Sequence, residues 1–184
     1  MTRRTGSLVL GALAVLALAS PAGAQSTPFV FFGGGASLPM GDYKEYAKTG
    51  WLANAGIGTT IGSKGLWIAA DLFYGSNSHS DIDGDKTNLK IGLATLGYTF
   101  KPGAKVTPYL SGSVGLLNHG YKSDTFPEAE GSESMMAFGG GAGLIFKMGA
   151  KSSFWVEARY LTASKDGSST AFVPVLVGIS IDLK

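Results

Sequence analysis

The chain from Pro28 onward alternates between apolar residues and small or polar residues, with a period of two. Val173, Val175 and Val177, for example, share one face of a segment whose other face is mostly small or polar. This period is typical of β-strands whose two faces meet different surroundings. Scattered glycines argue against helices, because each would destabilise a helix by roughly 1 kcal/mol relative to Ala. The pattern predicts eight strands: Pro28–Leu38, Trp51–Gly62, Leu66–Tyr74, Asn88–Lys101, Val106–Tyr121, Glu133–Met148, Ser153–Thr162 and Thr170–Leu183.

The connections between these predicted strands alternate in length. The short, glycine-bearing turns cover 63–65, 101–105 and 148–152, and the long polar loops cover 39–50, 75–87, 122–132 and 163–169. Successive connections of an up-and-down meander fall at opposite ends, so the short turns share one end and the long loops the other. Outer-membrane barrels have this asymmetry. The sequence therefore predicts an all-β fold, an eight-stranded antiparallel up-and-down transmembrane β-barrel.

The few charges within the predicted strands indicate which face meets lipid. A basic residue facing lipid at the bilayer midplane costs about 2–4 kcal/mol, whereas charges inside a narrow barrel can pair with one another. We interpret all the strand charges as lying on the face that carries the small residues, turned to the lumen. The candidates for a lumen ion-pair network are Asp71, Lys90, Glu157, Arg159 and Asp182. In so narrow a barrel, a side-chain plug is favoured over a polar conduit, so no open pore is expected.

The fourth predicted strand does not follow the alternation throughout. Leu89, Ile91 and Leu93 share one face, but Leu96 lies on the other. A β-bulge near Ala94 would restore the phase of the alternation. The alternative is that the segment is wrongly assigned.

Residues 1–24 have the three-part pattern of a secretory signal peptide. Two arginines precede the apolar run Leu8–Ala19, and Ala22-Gly23-Ala24 supplies the small residues of a cleavage site. The apolar run is short of the roughly 20 residues that cross a bilayer as a helix. We predict cleavage after Ala24, which leaves 25–184 as the barrel domain.

Composition excludes several classes of function. The chain has no cysteine, so disulfides, thiolate metal sites and cysteine nucleophiles are absent. Its formal charge of +2 comes from the two arginines of the predicted signal peptide, and the remaining residues are neutral overall. This charge balance does not suggest a nucleic-acid partner.

One acidic loop and two histidines are the candidates for site chemistry. Asp81, Asp83 and Asp85 have the alternating spacing of a calcium loop. The glycine and the bidentate acid of an EF-hand are missing at their positions, so a solvated acidic loop is favoured and no metal or cofactor is predicted. His79 and His119 could serve a serine nucleophile, but neighbours on a flexible loop do not make a catalytic triad. No catalytic residue is predicted, and we expect the protein not to be an enzyme.

Two local segments resemble known proteins. The segment Phe31–Pro39 followed by Gly41-Asp42, and Thr107–Leu110 at the start of the fifth strand, resemble the small eight-stranded outer-membrane β-barrel family, the OmpA/OmpX-like barrels. That family often ends in an aromatic residue, whereas the alternation here runs through Leu183 to Lys184.

The resemblance implies an integral protein of the bacterial outer membrane with a structural or surface-interaction role. The implied partners are outer-membrane lipid, lipopolysaccharide, and the export and barrel-assembly machineries. Two alternatives stay open. One is an outer-membrane enzyme that modifies lipid A or phospholipid, and the other is a periplasmic barrel that binds a small apolar ligand.

Overall fold

A computed structural model describes residues 26–79, 85–122, 131–165 and 168–184, and these form one closed antiparallel barrel. The described elements are β1 (Pro28–Met40), α1 (Tyr43–Tyr46), β2 (Gly50–Ile61), β3 (Leu66–Ser78), β4 (Lys86–Thr99), β5 (Val106–Lys122), β6 (Gly131–Lys147), β7 (Ser152–Lys165) and β8 (Ser168–Asp182). Each strand pairs with its sequence neighbours. The pairing of β1 with β8, from Phe29 opposite Asp182 to Met40 opposite Ala171, closes the barrel. The predicted fold class is confirmed.

The tight turns lie at one end of the barrel, as the sequence predicts. Gly65 between β2 and β3 has a φ of 87°, and Gly103 between β4 and β5 has a φ of 96°. Residues with a Cβ rarely adopt such values, so these turns depend on glycine. We call this end of the barrel the turn end and the opposite end the loop end.

The first long loop contains a feature that the alternation did not predict. A single helical turn, α1, lies at the loop end and buries the ring of Tyr43 completely. No helix in the described ranges is long and apolar enough to span a bilayer.

The outward faces of the strands carry the predicted apolar residues. Leu72, Val114 and Val177 are about half exposed, although they lie mid-strand. Aromatic pairs flank this surface, with Trp51 against Tyr74 towards the loop end. Such a band with aromatic borders is typical of the lipid-facing surface of a membrane barrel.

Strand β4 contains no bulge, so the interpretation of its irregular pattern is wrong. Its residues pair without interruption with both β3 and β5. Leu89, Ile91 and Leu93 face inward and are almost fully buried, whereas Leu96 faces outward. The alternation breaks because the loop-end part of the lumen is itself apolar, so both faces of this strand carry large apolar residues.

Candidate functional site

The lumen is divided into three layers along the barrel axis. The charged layer is the group formed by Asp71, Glu157 and Arg159 near mid-barrel. The turn-end cavity lies below this layer. The loop-end core lies above it and consists of Leu52, Phe73, Leu89, Ile91, Leu93, Leu117, Met135, Ala137, Leu161, Ala163, Phe172 and Leu176.

The charged layer is centred on one arginine between two carboxylates. Arg159 Nη1 lies 2.9 Å from Asp71 Oδ2, and Arg159 Nε donates to Glu157 Oε1. All three residues are less than a tenth exposed. Asp71 and Arg159 lie on β3 and β7, on different sides of the barrel wall, so the ion pair crosses the lumen.

Hydroxyl groups complete the hydrogen bonding of the charged layer. Thr95 donates to Asp71 Oδ2 at 2.7 Å, and the Tyr109 hydroxyl donates to Glu157 Oε2 at 2.7 Å. Arg159 Nη1 also donates to Ser113 Oγ at 3.1 Å. A buried charge is tolerated only when it is paired and hydrogen-bonded, and this layer meets both conditions.

The other two lumen candidates lie elsewhere. Lys90 is exposed on the outward face of β4, so its assignment to the lumen is wrong. The cause is the phase of β4, in which the even-numbered residues face out. Asp182 lines the turn-end cavity near the end of β8, and no ion pair joins it to another described residue.

Only one member of the acidic loop is described. Asp81 and Asp83 lie outside the described residues, so their predicted solvated state stays a prediction. Asp85 is buried, and its Oδ2 accepts a hydrogen bond from the Tyr121 hydroxyl. Asp85 is therefore part of the packed loop end of the barrel, and the prediction that it is solvated is wrong.

Both histidine side chains contact the hydroxyl of Thr87, a residue that the sequence analysis did not single out. His79 Nε2 lies 2.8 Å from Thr87 Oγ1, and His119 Nε2 lies 3.2 Å from the same oxygen. The register that places Leu89 opposite His119 brings these residues together. Thr87 is completely buried, so its hydroxyl cannot meet a lipid ester.

Tyr43 covers this histidine cluster from above. Its ring packs edge-on against His119 at 6.0 Å and against Tyr46 at 5.5 Å. Burial raises the pKa of the Tyr43 phenol above its ordinary value, so the hydroxyl stays protonated at neutral pH. The first loop thus adds an apolar lid to the loop-end core.

The turn-end cavity has a volume of about 260 Å³ and reaches the turns at Gly65 and Gly103. Its wall carries the rings Phe29, Phe31, Trp67, Tyr109 and Trp155. Glycines make room for these rings. A Cβ at Gly33, for example, would lie only 2.7 Å from the Trp155 ring. Asp71, Glu157 and Arg159 of the charged layer also line this cavity.

Comparison with known proteins gives the same architecture. Neisserial surface protein A is similar, with 14% identity and a TM-score of 0.69 over 85% of this chain and 97% of that one. The Yersinia pestis attachment invasion locus protein, Ail, has 16% identity and a TM-score of 0.54 over 86% and 97%. A major outer membrane protein of Thermus thermophilus has 11% identity and a TM-score of 0.53 over 86% and 100%. At such identities the likeness shows the fold alone.

No curated protein matches the chain. The family model described as "Outer membrane protein beta-barrel domain" matches residues 10–176, which is most of the chain. The chain therefore belongs to the family of outer-membrane β-barrel domains.

Proposed function

We propose that the protein is an integral, non-conducting barrel of the bacterial outer membrane with a structural or surface-interaction role. A cleaved signal peptide, residues 1–24, directs its export. The observation that carries the proposal is the charged layer beneath the loop-end core. Arg159 ties two strands together across the lumen, and packed apolar side chains lie directly above it.

The two layers oppose ion flow for different physical reasons. The loop-end core presents mainly apolar side chains, and buried polar groups beside it, such as Ser37 and Asn77, are hydrogen-bonded to each other, so a passing ion would lose its hydration with little compensation. In the charged layer the carboxylates are already bound to Arg159 and to hydroxyls, so they are not free to coordinate a passing cation.

The outward surface supports a location within lipid. Large apolar side chains such as Leu72, Val114 and Val177 are about half exposed around the barrel. Soluble monomers rarely expose so continuous an apolar surface. This argues against the alternative of a periplasmic ligand-binding barrel, which would turn its apolar faces mainly inward.

The histidine cluster does not favour the enzyme alternative. A hydroxyl between two imidazoles has the elements of an activated nucleophile. Thr87, however, is buried inside the barrel beneath Tyr43, on the side of the wall away from lipid. A lipid-modifying role would require this lid to open, and we favour a packing role for the cluster.

The long loops at the loop end are the surface through which the proposed interactions would take place. Outer-membrane lipid and lipopolysaccharide would surround the barrel. The export and barrel-assembly machineries would be its transient partners.

Two measurements on the full chain test this function. Membrane fractionation, with gels of boiled and unboiled samples, should find the protein in the outer membrane with heat-dependent mobility. Planar-bilayer recording of the refolded protein should show no stepwise current, with a general porin as the positive control. A soluble protein without a mobility shift would refute the membrane location. Discrete current steps from the wild-type protein would refute the closed lumen.

A further inference from the structure

The charges on the lipid-facing surface are unevenly distributed. Where the structure describes strand side chains, the outward faces carry three charged residues, and all three are lysines. They are Lys86 and Lys90 on β4 and Lys122 on the adjacent β5. The acidic residues Asp71 and Glu157 face inward and are buried. We call the three residues the lysine triad.

Strand register holds the lysine triad on one small surface. Lys86 lies directly opposite Lys122 across the β4–β5 ladder. Like charges in this position repel and destabilise the pair of strands. No ion pair joins either lysine to another residue in the described ranges. An anion bound between them would relieve the repulsion.

The third lysine lies closer to the apolar band. Lys90 is four residues from Lys86 on the same face, which is a distance of roughly 13 Å along an extended strand. It pairs with Tyr74, whose ring packs on Trp51 at 5.7 Å. Aromatic residues of this kind mark the interface of a barrel with the lipid headgroups. Lys90 therefore lies at headgroup depth, and Lys86 and Lys122 lie further towards the loop end.

An apolar surface continues directly below the lysine triad on the same two strands. Leu96 on β4 and Val114 and Leu116 on β5 face outward, each about half exposed. Positive charge above an apolar face matches a molecule with a phosphate headgroup and acyl chains. The two levels of charge match a headgroup that carries more than one phosphate.

We propose that the lysine triad is a binding site for a phosphorylated glycolipid of the outer leaflet, the lipid A part of lipopolysaccharide. The lysines hold its phosphates, and its acyl chains lie on the apolar face of β4 and β5. The inference rests on the proposed outer-membrane location. It adds a defined lipid site on one side of the barrel.

The test compares two triple variants of the full chain, refolded in a neutral detergent. K86Q/K90Q/K122Q removes the lysine triad, and the matched control K64Q/K105Q/K151Q removes the same charge from the turn end. Native mass spectrometry measures the binding of lipid A, of lipid A stripped of its phosphates, and of lipid A in competition with inorganic phosphate. Wild type and control should bind lipid A equally. The triad variant should bind at least about tenfold more weakly, because each lysine near an anionic surface contributes measurably to binding.

Removal of the lipid phosphates should weaken binding to wild type but change little for the triad variant. Equal binding of lipid A by the triad variant and the control would overturn the site. Competition by inorganic phosphate at concentrations similar to those of lipid A would overturn the lipid assignment in favour of a free anion. Heat-dependent gel mobility of the same samples separates the two proposals. If the wild type shows the shift but the triad variant binds normally, the site fails and the proposed function stands.

Discussion

The two halves of the lumen are filled differently, although the same eight strands enclose both. At the loop end, leucine and phenylalanine side chains such as Leu89 and Phe172 are fully buried in one apolar cluster. At the turn end, aromatic rings lie against glycine-rich walls and leave a cavity of about 260 Å³. The same barrel wall therefore encloses a region lined by large buried apolar side chains and a hollow region.

The difference arises within single strands. The inward face of β8 carries Phe172 and Leu176 towards the loop end but Gly178 and Ser180 towards the turn end. The register of β8 with β7 is the same on both sides of a short gap in the ladder at Arg159 and Tyr160. Side-chain volume on the inward face, and not strand geometry, thus decides where the lumen is packed and where it is hollow.

The largest effect is expected at the border between the two halves. Arg159→Ala leaves two buried carboxylates without their cation and should lower the free energy of unfolding by about 3–5 kcal/mol. Urea titration of the protein in phospholipid vesicles, followed by tryptophan fluorescence, measures this loss. The triple variant Arg159→Met, Asp71→Asn, Glu157→Gln should recover most of it, since no charge is then buried. If the urea midpoint of Arg159→Ala equals that of the wild type, the ion pairs of Arg159 do not stabilise the folded barrel.

Truncation of one phenylalanine in each half tests the difference in packing. Phe172 is fully buried in the loop-end core, and Phe172→Ala should cost about 3–5 kcal/mol. Phe29 is only partly buried beside the cavity, and Phe29→Ala should cost less than half of that. The same urea titration compares them. Equal losses would mean that the turn end is packed as tightly as the loop end.

For substitutions on the outward face, the loss of stability should depend on depth in the membrane and not on how the lumen behind the residue is filled. Val114→Arg places a charge at the middle of β5 and should destabilise the folded protein by about 2–4 kcal/mol. Val106→Arg, at the turn-end border of the same strand, is the control and should cost no more than about 1 kcal/mol. The fraction that folds into vesicles, read from unboiled gels, reports both. A harmless Val114→Arg would contradict the lipid-facing assignment.

The smallest changes in stability are expected when side-chain volume is added in each half of the lumen. Ala163 is fully buried in the loop-end core, so Ala163→Val should overpack it and cost about 1–3 kcal/mol. Ser180 lines the cavity, where Ser180→Val finds space and should change stability by less than about 0.5 kcal/mol. Thermal unfolding, followed by loss of heat-dependent mobility, ranks the two variants. The reverse order would show that the cavity does not accept an added side chain.

The sequence predicted the strands and their outward faces well, because lipid imposes a strict rule on every second residue. Val173, Val175 and Val177 could be placed from this rule alone. The rule failed for Lys90 because it treats every strand charge as if it lay at the bilayer midplane. Lys90 lies near the loop end, where a lysine can reach the lipid headgroups.

The inward face was harder to predict, because its contacts depend on register between distant strands. Asp71 and Arg159 are 88 residues apart in sequence, and their pairing depends on the curvature of the whole barrel. The cluster of His79, Thr87 and His119 likewise requires one particular offset of β3, β4 and β5. Alternation gives the face of each residue but not its height along the axis.

The seam between β1 and β8 also has a consequence for the order of folding. Residues near Phe29 pair with residues near Asp182, on the last strand of the barrel in the sequence. Until that strand arrives, β1 is an open edge that could pair with another chain. A barrel of this topology therefore cannot close until β8 has formed and paired with β1.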